Sequence, residues 1–438
     1  MPSVPMAKVF PVSTEVNNDG LLVIGGCDVR SLTAEFGTPL YVYDAATLRA
    51  QAGGFASAFG ALYPNSKVLY ACKAFINVGL AKMLSAQGTG FDIVSGGELA
   101  ILKAAGVPPE DVYFHGNNKT PQELREAVDW GIGQVVVDSF FELEELDRIA
   151  GDAGHLQPVL VRVSPSIDPH THRLTTTGVL DSKFGFPIET GQAKEAVRIA
   201  VGAKNLDLRG LHFHLGSPIF ELEPYSEAVE RVISFASEMR EEGLELHQFS
   251  PGGGYAIAYT EEDNPPPPSA YAKAIVDALR QGCAEHGMEE PELLIEPGRA
   301  ITGPAGVAVY TVGAIKDVPG VRTYVSVDGG MGDNIRPALY GSVYVAVAAD
   351  RAADSPTLTV TISGKYCESG DVLVRDAKLA PVSAGDLIAI PASGAYAPSM
   401  ASAYNANGRP AIVMVDTGEA KLIRRRESYT DLMAQDVV

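Results

Sequence analysis

Between Lys67 and Ile295 the chain alternates short apolar runs with stretches of helical spacing. The runs are Lys67 to Ala71, Gly90 to Val94, Val112 to Phe114, Gln134 to Val137, Val159 to Val163, Leu208 to Leu215, Leu246 to Phe249 and Glu292 to Ile295. Between two of them, Tyr225, Ala228, Val229, Val232, Ile233, Ala236 and Met239 repeat at i, i+3, i+4 and i+7, with Glu227, Glu230, Arg231 and Glu238 on the other side. Strands alternating with helices predict a parallel sheet, and eight such units are the number that closes a (β/α)8 TIM-type barrel. After about Gly306 the pattern changes. Gly306 to Ile315, Thr323 to Val327, Thr357 to Ser363, Leu387 to Pro391, Ala411 to Val415 and Ala420 to Arg424 read as successive strands separated by turn residues. They predict a C-terminal, mostly β domain. Leu21 to Ile24 and Leu40 to Tyr43 also read as strands and are expected to join it across the base of the barrel. The expected division is therefore a barrel over 45–306 and a β domain from 1–44 and 307–438. Pro265 to Pro268 reads as a rigid surface connection inside the seventh βα unit.

Composition narrows the class. With 438 residues, 46% hydrophobic and 20% charged, the chain is long enough for a barrel and a second domain. Its net charge of -20 disfavours nucleic acid or an anionic membrane as partner and is compatible with a small cationic or zwitterionic substrate. The four cysteines, Cys27, Cys72, Cys283 and Cys367, have neither CxxC nor metal spacing, so no disulfide framework or metal site is expected. Met1 to Val12 lacks the basic and apolar segments of a signal peptide, and no apolar run is long enough to span a bilayer, so the expected location is cytoplasmic.

The chemistry-bearing residues fall at one end of the predicted strands: Lys73, Asp92 with Ser95, His115, Asp138, Arg162, His214, Gly252-Gly253-Gly254, and Glu296 with Arg299. Active sites in this fold sit at the C-terminal face. A lysine at the mouth of a buried strand is suited to Schiff-base chemistry with an aldehyde. Three glycines after the seventh strand allow backbone N–H groups to approach an anion, in the usual phosphate position of barrels. Together they suggest a phosphorylated aldehyde cofactor. Glu296 then reads as a carboxylate facing a protonated pyridine nitrogen, against the alternative of a salt bridge to Arg299 in the same turn. Of His212 and His214, on one face of the sixth strand, His214 can stack on a planar ring and His212 is expected to be a hydrogen-bonded core residue. Ser217 can donate to a phosphate oxygen.

These motifs resemble the diaminopimelate decarboxylases, a branch of the fold-type III pyridoxal 5'-phosphate enzymes that includes ornithine and arginine decarboxylases and, more distantly, alanine racemase. The resemblance runs through Tyr70-Ala71-Cys72-Lys73-Ala74, Asp92-Ile93-Val94-Ser95-Gly96-Gly97-Glu98-Leu99, His115-Gly116-Asn117-Asn118-Lys119, His170-Thr171-His172, Ser182-Lys183-Phe184-Gly185, His214-Leu215-Gly216-Ser217, Glu296-Pro297-Gly298-Arg299, Cys367-Glu368-Ser369-Gly370-Asp371, and Gly394-Ala395-Tyr396 near Tyr404-Asn405. It implies that Lys73 carries the cofactor as an imine, that His214 stacks on the ring, and that Glu296 faces its nitrogen. Asp92, Arg162, Ser217, Gly252, Gly253, Gly254, Pro297, Gly298, Arg299 and Tyr396 would complete the cofactor site.

The resemblance also implies a substrate, meso-2,6-diaminopimelate, converted to L-lysine and carbon dioxide in the last step of lysine biosynthesis. Cys367-Glu368 would be delivered by the partner subunit of a homodimer with shared sites. Glu368 would take the distal ammonium; Arg299 and Arg336 would take the distal carboxylate, with Tyr340 and Tyr396 beside them; Cys367 would protonate the carbanion. Rival readings are a decarboxylase of arginine, ornithine or carboxynorspermidine, a catalytically silent cofactor binder, and a racemase, for which no pair of bases can be assigned. Ala406 departs from the bulky apolar residue that relatives often carry there.

Overall fold

The computed structural model describes residues 3–168, 177–178 and 180–437. His170-Thr171-His172, and most of the segment from Asp168 to Gly178, lie outside the described residues. The chain divides into two compact units, one of residues 52–256 and 265–298, the other of residues 1–51, 257–264 and 299–438. No helix among the described residues is long and apolar enough to cross a membrane.

The first unit is the barrel. Its strands are β1 (Ser66–Ala71), β2 (Gly90–Ile93), β3 (Val112–Phe114), β4 (Gln134–Val137), β5 (Gln157–Ser164), β6 (Leu206–His212), β7 (Gln248–Ser250) and β8 (Glu292–Ile295). Each pairs in parallel with the next, and β8 returns to β1 through Leu293–Ser66, Leu294–Lys67 and Ile295–Val68. The circle is therefore closed, which leaves no strand edge exposed. Leu69, Tyr113, Val136, Leu160 and Leu294, from five of these strands, form one buried cluster. The apolar runs predict all eight strands, with ends displaced by a residue or a few; β6 stops at His212 because the chain then turns toward the glycine run.

Polar residues after the strands start the helices. Ser95 accepts from Glu98 N at the head of Gly96–Ala105, Ser139 accepts from Glu142 N at the head of Phe140–Ala153, and Thr120 forms a reciprocal capping box with Glu123. Ser95, expected among the site residues, is thus a helix cap. The proline run is not purely a surface connection either: Pro268 opens the helix Pro268–Glu285, where its missing N–H is no loss.

In the second unit the long strand Gly306–Val318 is central. Its first half pairs with Leu40–Asp44 and Leu387–Ile390, and its second half with Arg322–Val327. Leu40–Asp44, buried along its whole length, pairs in parallel with Ala411–Asp416, which carries Glu419–Arg424 at the edge. Arg322–Val327 continues to Leu358–Ser363 and then to Val372–Leu379, a strand that the pattern did not predict. Leu22–Ile24 lies in this unit but in a separate three-stranded sheet with Glu15–Val16 and Cys27–Asp28. Its Leu22 and Ile24 still share one core with Leu40, Val42, Val307, Val309 and Val413.

Beneath the mouth of the barrel lies a buried ion pair. Lys119 Nζ donates to Glu142 Oε1 at 2.7 Å, to Val136 O at 2.7 Å and to Gly116 O at 2.9 Å, so all three ammonium donors have acceptors. Removing one partner strands the other charge. Lys119→Met is expected to cost roughly 3–5 kcal/mol, read as a lower urea midpoint at unchanged slope, and Lys119→Met with Glu142→Leu to recover most of it. A loss below about 1 kcal/mol in the single variant would contradict this.

Candidate active site

The C-terminal ends of the barrel strands bring Lys73, Asp92, His115, Asp138, Arg162, His212, Ser250 and Glu296 to one rim. Lys73 lies in the short turn Cys72–Ala74 directly after β1, and its Nζ is 3.3 Å from Asp92 Oδ2 on β2. Asp92 is fully buried; burial pushes its pKa up to about 7, with Lys73 opposing. Pro297 O accepts from Ala71 N at 3.3 Å, and a Cβ on Gly298 would stand 3.0 Å from that of Ala71. The Glu296-Pro297-Gly298 segment is therefore seated on the strand end that carries Lys73.

Both oxygens of Glu296 are engaged within the barrel. Its Oε1 accepts from Ser250 Oγ at 2.7 Å, and its Oε2 lies 3.2 Å from His212 Nε2. A carboxylate only accepts, so His212 carries its hydrogen on Nε2. Burial alone would raise the Glu296 pKa, but the imidazoles of His212 and His115 with the Ser250 hydrogen bond hold it well below the ordinary range. His212 and His115 are themselves lowered by burial. His212 is thus the hydrogen-bonded residue expected, and its bond serves the carboxylate. His115 meets His212 edge to face, centroids 4.9 Å apart, with Nε2 3.7 Å from Glu296 Oε1 and 3.8 Å from Asp92 Oδ1. Ser250 had no signal in the sequence beyond its place at the end of a strand.

The glycine run is more constrained than a flexible loop. Gly252 and Gly254 have φ of +75° and +104°, and a Cβ on Gly253 would lie 2.0 Å from Glu296 O. Gly252 N donates to Ser250 Oγ at 3.2 Å and Gly253 N to His214 Nδ1 at 3.2 Å. These two N–H groups are engaged within the rim, so the anion-cradle reading narrows to Gly254, whose N–H has no partner among the described residues. The Gly253 bond also orients the His214 ring and fixes its hydrogen on Nε2, while burial lowers its pKa well below the ordinary range. Ser217 lies partly buried in the loop after β6. Arg162 Nη1 stands 3.4 Å from Asp138 Oδ2, and its guanidinium lies 4.5 Å from the Phe184 ring centroid.

The β-rich unit gathers a second group. Arg299 and Arg336, both buried, donate to the hydroxyl of Tyr259, which the sequence reading overlooked. Arg299 also lies over Tyr396, 4.8 Å from its centroid, and Tyr396 has a φ of +61°. Tyr340 ends the helix Arg336–Tyr340 and is half-buried. Cys367 and Glu368 are exposed: Cys367 N donates to Asn405 Oδ1 at 2.9 Å, and Glu368 Oε1 accepts from Gly370 N at 3.2 Å.

A family model of the pyridoxal-dependent decarboxylase, pyridoxal binding domain, matches residues 46–303. The chain belongs to the pyridoxal-dependent decarboxylases. It is 44% identical to a diaminopimelate decarboxylase of Bacillus subtilis over 422 residues, 96% of each chain. It is likewise 44% identical over 437 residues to one of Corynebacterium efficiens, covering 98% of this chain and 95% of the other. Among solved structures it resembles the diaminopimelate decarboxylase of M. jannaschii in co-complex with L-lysine, with a TM-score of 0.91, 35% identity and 98% of each chain covered. The fold is accordingly the fold-type III barrel with a β domain.

The close approach at Gly253 gives a test of this decarboxylase rim. Gly253→Ala drives a methyl group into the Glu296 carbonyl and is expected to cost at least about 2 kcal/mol of folding stability. Gly60→Ala, where the new Cβ meets nothing within 4 Å in the helix Ala45–Leu62, is expected to gain about 0.5–1 kcal/mol. Equal effects of the two in urea unfolding would refute the packing argument.

Proposed function

We propose that the chain decarboxylates meso-2,6-diaminopimelate to L-lysine and carbon dioxide, with pyridoxal 5'-phosphate as cofactor, as a cytoplasmic enzyme of lysine biosynthesis. The observation that carries this reading is Arg336: a buried guanidinium whose acceptors are two tyrosine hydroxyls and which has no carboxylate partner among the described residues. A charge buried in that state suits a substrate carboxylate that stays on the product. A decarboxylase whose product is a plain diamine has no use for it, so the arginine and ornithine alternatives fit less well. The names of the relatives agree.

The rim residues fit the cofactor. Lys73 offers the amine for an aldehyde, Glu296 remains an anion suited to a protonated ring nitrogen, and the Gly254 N–H suits a phosphate oxygen. His115 Nε2 and Asp92 Oδ1 are buried atoms without a hydrogen-bond partner among the described residues. When bound, the cofactor supplies the electron sink for the pair left by departing carbon dioxide. The protein's own part is then positional and protonic. His214, its ring held by Gly253, is assigned to stack; Ser217, Pro297, Gly298, Arg299 and Tyr396 are assigned to hold the cofactor's remaining edges. Arg299, Arg336 and Tyr340 are assigned to the distal carboxylate, and Glu368 to the distal ammonium. The proton that replaces the lost carboxylate comes from Cys367 Sγ.

Cys367 and Glu368 are assigned to the site of the partner subunit, in a homodimer closed by a two-fold axis. Their exposure supports this.

Purified enzyme given meso-diaminopimelate is expected to release lysine and carbon dioxide in equal amounts. Lys73→Ala should abolish both, and Arg336→Ala or Glu368→Gln should cost about 3–5 kcal/mol in kcat/KM while cofactor absorbance persists. Near wild-type efficiency in either distal variant would remove the substrate assignment.

Shared sites predict complementation. Lys73→Ala and Cys367→Ala, each inactive alone, are expected to recover about a quarter of wild-type activity after statistical subunit exchange, since half the dimers are mixed and half their sites intact. No recovery after verified exchange means that Cys367 serves its own chain.

A further inference from the structure

Two buried cations meet on one phenol. Arg299 Nη1 donates to Tyr259 Oη at 2.6 Å, and Arg336 Nη1 donates to the same oxygen at 3.0 Å. Arg336 donates in addition to Tyr344, whose ring meets that of Tyr259 edge to face with centroids 5.4 Å apart. Tyr259 is itself pinned: its N–H and that of Thr260 both donate to Asp263 Oδ2 at 2.9 Å. A hydroxyl that accepts from two guanidiniums uses both of its lone pairs, so that one oxygen bridges the two arginines.

We propose that Tyr259 is a specificity-positioning residue: its hydroxyl sets the spacing of Arg299 and Arg336 for a substrate carboxylate, and loss of its proton makes it the anion that competes with that carboxylate. This rests on the assignment of the two arginines to the distal carboxylate of the substrate.

The charges decide the direction. From the elements packed against it, Arg299, Arg336 and Tyr344 face the Tyr259 hydroxyl, and Asp263 lies on its own segment. Burial pushes the Tyr259 phenol up, but the two guanidiniums draw it below the ordinary phenol value. Tyr344, pushed up to about 12 by burial, keeps its proton. Below the titration of Tyr259 the arginine pair carries both positive charges and accepts a carboxylate. Above it, the proton has left for solvent, a phenolate occupies the pair, and carboxylate affinity falls roughly tenfold per pH unit.

The test uses the holoenzyme and three competitive inhibitors. L-lysine retains the distal carboxylate, cadaverine lacks it, and pimelate, the seven-carbon diacid, has carboxylates and no amine to titrate. In wild type the pimelate inhibition constant is expected to rise from pH 8 to pH 10 by more than the roughly twofold that an ordinary phenol would give. In Tyr259→Phe, L-lysine is expected to bind about tenfold more weakly at pH 7.5 while cadaverine binds as before. KM for meso-diaminopimelate should rise with kcat within about twofold, and the wild-type rise in the pimelate constant above pH 8 should be absent from the variant. Ligand amines titrate identically in both proteins, so a changed slope belongs to residue 259. A wild-type pimelate constant that stays flat overturns the proposal without recourse to any variant. So does a Tyr259→Phe enzyme with wild-type L-lysine affinity and pH profile. Arg336→Ala separates the two levels: if it loses L-lysine but not cadaverine while Tyr259→Phe behaves as wild type, the substrate reading stands and the role of Tyr259 falls. If Arg336→Ala weakens neither, the assignment of the arginines is itself wrong.

Discussion

A carboxylate kept ionised inside a closed barrel is the constraint on which the rest of the rim depends. Burial works against the charged form of Glu296, and without help it would take a proton. Ser250 Oγ and His212 Nε2 bond to its two oxygens, and both residues end strands adjacent to β8 or one strand beyond. The same need explains the glycine at 253. The turn after β7 runs so close to Glu296 that a methyl group would collide with the carbonyl oxygen. That proximity also lets Gly253 N reach His214, so one turn orients the His214 imidazole and flanks the carboxylate.

Burial lowers His115, His212 and His214 alike, and the charge of Glu296 opposes that shift in each. The effect is mutual, because the imidazoles of His212 and His115 lower Glu296 as Glu296 raises them. On the proposed reading, an arginine in the place of His212 would form a permanent ion pair and remove much of the carboxylate's attraction for a protonated ring nitrogen.

Much of this was legible in the sequence because the barrel obeys local rules. Apolar runs of about strand length, separated by helical periodicity, mark all eight strands, and the residues following them include Lys73, Asp92, His115, Arg162, His214 and Glu296. What escaped depends on tertiary partners. Val372–Leu379 carries Arg375, Asp376 and Lys378 among its apolar residues, so as a strand exposed on part of one face it lacks clean alternation. Ser95 has the same residue type and the same place after a strand whether it caps a helix or binds a ligand, and only the bond from Glu98 N to its hydroxyl separates the two. Tyr259 lies in a short excursion, 257–264, that reads as loop and groups with the β-rich unit. Nothing in its neighbours announces that two arginines, 40 and 77 positions away, converge on it.

Lys119 and Arg336, both buried cations, are held in different ways. Lys119 is matched by the carboxylate of Glu142 and by two carbonyls. Such a pair is closed: a further anion would have to displace a partner already bound. Arg336 instead donates to two phenols. Neutral hydroxyls satisfy hydrogen-bond geometry and position the guanidinium without neutralising it, which leaves its positive charge uncompensated. A carboxylate partner there would stabilise the empty protein more and bind substrate less, because each anion admitted would first have to break an ion pair. On the proposed substrate reading, tyrosine at 259 and 344 trades some stability of the resting fold for a cation kept available to the substrate carboxylate.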